Sequence, residues 1–353
     1  MEILLLGGTG AMGVPLVNLL SGRKDVTLYV TSRSVKESKG NVNYIKGNAK
    51  DYSFLESLLN KRYDAIIDFL VYASEDFKKR LPFILEHTDQ YFFFSSARCY
   101  AEYSGLITEE SPRLVDVCKD EVYLATDEYG LAKGREENIL RSCVSKNWTI
   151  IRPYITYNSN RIQLGVYEKE NWLKRALEGR TVVFPSDIAD SITSLTYGPD
   201  VAKVITLLIG NEKAYGETFH ITTDETHTWR EICEFYVSEI EIITGKKIRV
   251  IYPENSEGLQ KVWNKWQIKY DRLLDRKFDN SKIESVIGNF EFKSTFEGLS
   301  ECLKEFIKTP KWLNMNWQYE AWCDCQSGEF THLNNIVGTR SKLSYLKHRL
   351  FWR

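Results

Sequence analysis

Apolar residues in the first half of the chain fall in short runs separated by stretches with helical spacing. Ile3 to Leu6, Val26 to Val30, Asn43 to Ile45, Ala65 to Leu70 and Tyr91 to Phe94 each read as a strand, and Trp148 to Ile151 leads into another that ends at Arg152 and Pro153. Between them Val14 to Leu20, Asp51 to Leu59 and Glu75 to Glu86 carry helical periodicity, with Pro82 predicting a kink or a late start in the last. Strands and helices in alternation predict the α/β class, a parallel sheet covered on both faces. Beyond Pro153 the pattern loosens into a loop rich in Asn and Arg, a helix near Trp172 to Leu177, a short strand at Thr181 to Phe184, and mixed elements to about residue 308. There is no internal repeat and no low-complexity segment.

One junction in this pattern carries chemistry. Gly7, Gly8, Thr9, Gly10, Ala11, Met12 and Gly13 lie between the first strand and the first helix. In such a turn Gly7 can take a positive φ, Gly10 has no Cβ to hold a diphosphate off the backbone, and Gly13 lets helix and strand pack closely. The free N–H groups of the helix start then face the phosphates. An ordinary glycine turn is the plain alternative, but the strand-turn-helix context favours a dinucleotide site.

Composition narrows the class. The chain has 353 residues, 13% of them aromatic, and a net charge of -1. Such a chain can bury a large core as one two-lobed unit or two domains, and its charge argues against a nucleic-acid binder. The N-terminal residues read as a strand rather than a leader, and no apolar run reaches the length of a membrane span. Seven scattered cysteines read as reduced thiols in a cytoplasmic protein.

The end of the second strand bears on the cofactor. NAD enzymes usually place a carboxylate there for the ribose hydroxyls, whereas this chain has Val30, Thr31, Ser32 and Arg33. Ser32 and Arg33 offer a hydroxyl and a guanidinium suited to a 2′-phosphate, so NADP is favoured; with Arg33 as a solvated loop residue, NAD remains the alternative. Asn48, after the third strand, is placed either to hydrogen-bond an adenine edge or to form a turn.

Tyr129 and Lys133 put a phenol and an ammonium four residues apart, on one face of a helix. A free phenol titrates near ~10 and is a poor base at neutral pH unless a positive charge stabilises the phenolate. Lys133 supplies that charge. The pair can take a proton from an alcohol as hydride leaves the carbon, or return it in reduction. Ser96, after the fifth strand, is the hydroxyl that polarises the same oxygen.

The Gly7/Gly10/Gly13 turn, Ser96-Ala97-Arg98-Cys99-Tyr100 after a buried strand, Tyr129 with Lys133, Ile151-Arg152-Pro153, and Asp279-Asn280-Ser281-Lys282 together resemble an atypical branch of the extended short-chain dehydrogenase/reductase family, the nucleotide-sugar epimerases, dehydratases and reductases. The resemblance covers about residues 1 to 308. It implies a Rossmann domain of about seven strands over residues 1–157, joined by about 190–215, a smaller C-terminal α/β substrate lobe over 158–308, and an extra tail over 309–353. It also implies Ser96, Tyr129 and Lys133 as the catalytic set, with Lys133 and Pro153 beside the nicotinamide half of the cofactor, and a homodimer. Two departures matter. Ala97 and Arg98 stand where family dehydratases carry an acidic pair, which argues against elimination of water. The fourth strand runs on through Phe69, Leu70, Val71 and Tyr72 where the family has a small-residue turn.

Arg98 is a candidate for an anionic group on the substrate, with capping of a surface turn as the alternative. In the substrate lobe Phe184 is a candidate for stacking on a nucleobase, and Arg161, Lys269 and Arg272 are candidates for substrate anions; each has a core or solvated-charge alternative. Trp263, Trp266 and Tyr270 read as lobe core. In the tail, Trp312, Trp317, Tyr319 and Trp322 predict packing against the body or a second subunit. Cys323, Cys325 and His332 fall short of a metal-ligand set, so no metal is expected. Leu333 to Arg353 holds five Lys or Arg and no acid, mixed with apolar residues that include Phe351 and Trp352. This predicts either weak contact with an anionic membrane surface or a basic helix on the protein's own surface. Taken together, the residues read as an oxidoreductase or isomerase using NADP or NAD on a nucleotide-linked sugar, a keto-sugar reductase or 4-epimerase of the kind that serves polysaccharide biosynthesis. A Rossmann-fold protein that only binds nucleotide or RNA is the reading of another class.

Overall fold

The computed structural model describes residues 1–350, so Phe351, Trp352 and Arg353 lie outside the described residues. The described chain divides into two compact units: residues 1–156, 194–224 and 277–293 form the first, and residues 157–193, 225–276 and 294–350 the second.

The first unit holds a sheet of seven parallel strands: β1 (Glu2–Leu6), β2 (Thr27–Ser32), β3 (Val42–Lys46), β4 (Tyr63–Asp68), β5 (Thr88–Phe94), β6 (Trp148–Pro153) and β7 (Glu217–Ile221), in the order β7-β6-β5-β4-β1-β2-β3. Alternation along β1 shows why the run is apolar throughout. Ile3 and Leu5 join one core with α1 (Gly13–Ser21) and α5 (Gly198–Leu208). Leu4 and Leu6 join another with α2 (Tyr52–Leu58), α3 (Ser74–Glu86) and Leu140 of α4 (Tyr129–Ser142). A strand buried on both faces has no polar side to show, and this is the doubly wound architecture that the alternation predicts.

Three local expectations are corrected. The fourth strand ends at Asp68, so Phe69 and Leu70 belong to the turn that follows it. The helix predicted from Glu75 begins at Ser74 and runs through Pro82 without a break. Residues 277–293, which carry Asp279 to Lys282, belong to the first unit; Ile283, Phe290 and Phe292 pack into its core.

In the second unit the longest helix, α6 (Trp229–Thr244), starts with a capping box between Thr228 and Glu231 and ends at Gly245, whose φ is 70°. Short strands pair beside it, Ile192–Thr193 with His227–Thr228 and Val182–Val183 with Val250–Ile251. Residues 294–350 add α7 (Thr295–Lys308), α8 (Trp317–Ser327) and α9 (Thr339–Leu350). Tyr319 packs between Tyr167, tilted with ring centroids 4.6 Å apart, and Trp263, edge-on at 5.3 Å. Arg175, fully buried, donates to Glu320 at 2.6 Å, Asp324 at 3.0 Å and Glu329 at 2.8 Å, and Arg180 joins the same acids. In α9, Tyr345 is buried against Ala321 and Ile336 and donates to Asp324 at 2.6 Å. The tail is thus built into the second unit. Among the described residues no helix is long and apolar enough to cross a membrane.

Candidate active site

The order of strands reverses between β1 and β4, and in open α/β sheets ligands bind outside the carboxyl ends of strands at such a point. A cleft of about 470 Å³ opens there. Its walls come from the ends of four neighbouring strands: Gly7, Thr9 and Gly10 after β1, Thr31 and Ser32 of β2 with Arg33 after it, Asn48 to Lys50 after β3, and Phe69 to Val71 after β4.

Three glycines shape this wall in different ways. Gly7 has φ 76° and its N–H donates to Thr31 Oγ1 at 2.9 Å, while a Cβ would sit 2.7 Å from Leu70 Cδ2. At Gly13 a Cβ would lie 2.6 Å from the Gly8 carbonyl carbon, so the helix start touches the turn only because no side chain intervenes. At Gly10 a Cβ would meet no protein atom within 4 Å and would project into open space. Ala11 and Met12 complete the turn, with Met12 preceding the first residue of α1. A glycine turn with room before it, a helix N-terminus and a cleft of this size fit the adenosine diphosphate half of a nicotinamide dinucleotide.

At the cleft edge Arg33 is exposed, and Ser32 is buried with its Oγ 3.3 Å from Ser34 Oγ. Asn48 spends its side chain on a turn, donating to Asp51 at 3.1 Å and accepting from the Lys50 N–H at 3.3 Å. Pro153 closes β6 opposite Ile221 of β7.

Beyond β5, Ser96 is buried and its Oγ accepts from the Arg98 N–H at 3.2 Å, capping the short turn Ala97–Cys99. That turn lies against the start of α4: a Cβ on Gly130 would stand 2.8 Å from the Arg98 carbonyl oxygen. Arg98, assigned from sequence to a substrate anion, donates to Glu128 at 2.6 Å and places its guanidinium carbon 5.1 Å from the centre of the Tyr129 ring. Glu128 in turn caps α4 by accepting from the Gly130 N–H and receives the Tyr123 hydroxyl at 3.1 Å. Structure therefore brings Tyr129, Lys133 and Arg98 together, with Ser96 tied to the Arg98 backbone.

Lys133 is 1% exposed. Its ammonium donates to Glu136 at 2.9 Å, lies 4.6 Å from the centre of the Phe93 ring and 5.9 Å from that of Tyr129. Asp68, at the end of β4, is a second buried acid in this region. It accepts from the hydroxyls of Tyr72 and Tyr91, both at 3.0 Å, and from the Leu70 N–H at 3.0 Å. Burial raises the carboxyl pKa of both acids, Glu136 to about 6, with Lys133 opposing the rise. The next residue behaves in the opposite way. Although burial would push Glu137 up, the charge and hydrogen bonds of Arg152, the Ser95 hydroxyl and Arg113 hold it at about 2. Sequence reasoning passes over Asp68, Glu128 and Glu136. The carboxylate that ends the apolar run Ala65-Ile66-Ile67 is the one signal that could have revealed Asp68.

Phe184, Arg161, Lys269 and Arg272 belong to the second unit. Phe184 is fully buried, edge-on to Tyr167 at 5.9 Å, which makes it a core residue rather than a face for a nucleobase. Arg272 is buried too, donating to the Gly165 carbonyl at 2.9 Å and paired with Asp271. Lys269 is exposed, 4.8 Å from the Tyr270 ring centre, and Arg161 lies 3.7 Å from Glu168. None of the seven cysteines is in a disulfide, and among the described residues no group of three or more His, Cys, Asp or Glu is placed to hold a metal.

No family model matches the chain. Among curated proteins it is similar to the chloroplast stem-loop binding protein of 41 kDa b of Arabidopsis thaliana, 28% identical over 246 residues. That match takes in 65% of this chain and 60% of the relative's length. Solved structures give broader coverage. The UDP-glucuronic acid 4-epimerase of Bacillus cereus, in complex with UDP-glucuronic acid and NAD, matches with a TM-score of 0.64 at 16% identity, over 87% of this chain and 100% of that one. The dTDP-glucose 4,6-dehydratase of Bacillus anthracis, in complex with NAD, matches with a TM-score of 0.65 at 18% identity, over 88% of this chain and 98% of that one. The seven-stranded parallel sheet, its glycine turn and these matches give one conclusion: the chain has the fold of the extended short-chain dehydrogenases/reductases.

Proposed function

We propose that the chain is an NADP-preferring oxidoreductase of the extended short-chain type that acts on a nucleotide-linked sugar, as a keto-sugar reductase or a 4-epimerase. The observation that carries this reading is the pairing of Tyr129 and Lys133 one turn apart on α4, in the same unit as the glycine-lined cleft. A bound nicotinamide dinucleotide supplies hydride transfer at a sugar carbon. Gly7, Gly10 and Gly13 would hold its diphosphate, and Ser32 and Arg33 a 2′-phosphate. Tyr129 takes the proton of the sugar hydroxyl on oxidation and returns it on reduction, the Lys133 ammonium lowers the cost of the phenolate, and Ser96 orients the reacting oxygen. Absence of a carboxylate at the end of β2 supports NADP over NAD. Seven cysteines outside any disulfide suit a reducing compartment such as the cytoplasm. A homodimer is part of the same reading.

The test is to release any nucleotide carried by the purified protein and identify it by mass, then to titrate NADPH and NADH by fluorescence. Tightly held NAD marks an epimerase, whereas empty sites that fill with NADPH mark a reductase; a protein that binds neither overturns the reading. One observation favours a second reading. The Arabidopsis relative is named for stem-loop binding, and an RNA-binding member of the fold is the reading it favours. That reading expects stem-loop affinity that falls steeply with salt and persists when Tyr129 is replaced.

A further inference from the structure

We propose that Glu136 is a positioning residue that holds the Lys133 ammonium one helical turn from Tyr129 and, by gaining or losing a proton, sets how much of that positive charge the phenol feels. The inference rests on the oxidoreductase reading for its consequence in turnover, and on geometry alone for the clamp itself.

The geometry is closed. Lys133 and Glu136 are 1% and 0% exposed and 2.9 Å apart, so solvent does little to screen their interaction. Glu136 uses Oε2 for the ammonium, and its other oxygen, Oε1, is buried without a hydrogen-bond partner. A carboxylate half satisfied in this way is the form that burial penalises most, and a proton on Oε1 removes the charge and with it the larger part of that cost.

The groups around it act in the same direction. Asp68 at the end of β4 and Asp127 before α4 add negative charge, and Tyr72 and Tyr91, whose hydroxyls are committed to Asp68, add none while neutral. One buried ammonium therefore faces two buried acids, Asp68 and Glu136, and full ionisation would leave the cluster net negative. Glu136 is the acid in direct contact with the amine. When it is ionised, the Lys133 charge is largely answered within the pair. When it is protonated, the ammonium loses its contacting countercharge and its field reaches Tyr129 more strongly. The ordinary Tyr and Lys arrangement on a helix thus acquires a proton-dependent setting from a residue three positions further on.

The experiment uses the full chain labelled with carbon-13 at tyrosine Cζ, with the Tyr129 resonance assigned by its loss in Tyr129→Phe, followed by NMR from pH 4.5 to 8. The expected result is a step near pH 6 in the Tyr129 resonance that disappears in Glu136→Gln. In Asp68→Asn, where one negative neighbour is removed, the step moves to lower pH. If the wild-type Tyr129 resonance shows no such step, or if the step survives in Glu136→Gln, the proposal is overturned. Folding of each variant is read from circular dichroism, and Asp68→Asn carries the test if Glu136→Gln does not fold. Because the resonance needs neither substrate nor dinucleotide, a failed clamp and a failed oxidoreductase reading separate. A protein with the step but no hydride transfer keeps the clamp and loses the activity. A protein with turnover but no step does the reverse.

Discussion

Glu137 and Arg152 are joined by two parallel hydrogen bonds, from Nε at 2.8 Å and Nη2 at 2.6 Å, and both side chains are fully buried. The pair ties α4, which carries Tyr129 and Lys133, to β6, and Arg113 adds a third contact at 3.0 Å. Such a pair is costly to break from one side because the remaining charge stays buried without an answer. Glu137→Gln should destabilise the first unit by about 3 to 5 kcal/mol, measured by urea unfolding.

The same carboxylate predicts acid lability. Its pKa in the folded protein, about 2, lies below the ordinary 4.5, so the folded state favours the ionised form. That contribution is complete above pH 4.5 and declines as pH falls toward 2. Unfolding midpoints measured between pH 6 and 2.5 should drop steeply below 4.5, and Glu137→Gln should flatten the fall.

Two glycine substitutions separate binding from folding. Gly10→Ala places its Cβ in open cleft, so thermal stability should hold while dinucleotide affinity falls at least tenfold in a fluorescence titration. Gly13→Ala drives a Cβ into the Gly8 backbone at 2.6 Å and should lower the melting temperature as well.

Cofactor choice tests the end of β2. Arg33→Ala should weaken NADPH binding by about tenfold and leave NADH unchanged, as the proposed charge-assisted contact to the 2′-phosphate requires. Equal loss for both dinucleotides would assign Arg33 to the diphosphate or to general field effects.

Tyr129→Phe should reduce hydride transfer by about 10² to 10⁴-fold with dinucleotide affinity intact, the loss expected of a general acid-base group. Unchanged turnover would remove Tyr129 from the chemistry.

Much of the sheet was legible because β1, β4 and β5 are apolar at consecutive positions, a pattern that only burial on both faces explains. Strand ends were less so: Phe69 and Leu70 are as apolar as the strand before them, and it is the Asp68 carboxylate, turned back onto the Leu70 N–H, that ends the run. Pro82 misled because a proline costs a helix only where its missing N–H and ring conflict with the preceding turn, and α3 continues through it. The acids of α4 were hidden for a different reason. Lys133, Glu136 and Glu137 in sequence look like a solvated face, yet all three are buried, and nothing in a 3.6-residue period distinguishes a charge facing water from a charge facing another charge. Phe184 shows the converse, since an aromatic between short apolar residues carries no mark of whether its ring meets a ligand or a core.

Gly130 sets the closeness of the Ser96 turn and the Tyr129 helix, since its α-carbon carries hydrogen where any other residue would put carbon against the Arg98 carbonyl. The spacing of turn and helix is therefore gauged by the smallest substituent a residue can have. A single methyl group at this position would wedge the Ser96 turn and the Tyr129 helix apart without replacing either side chain.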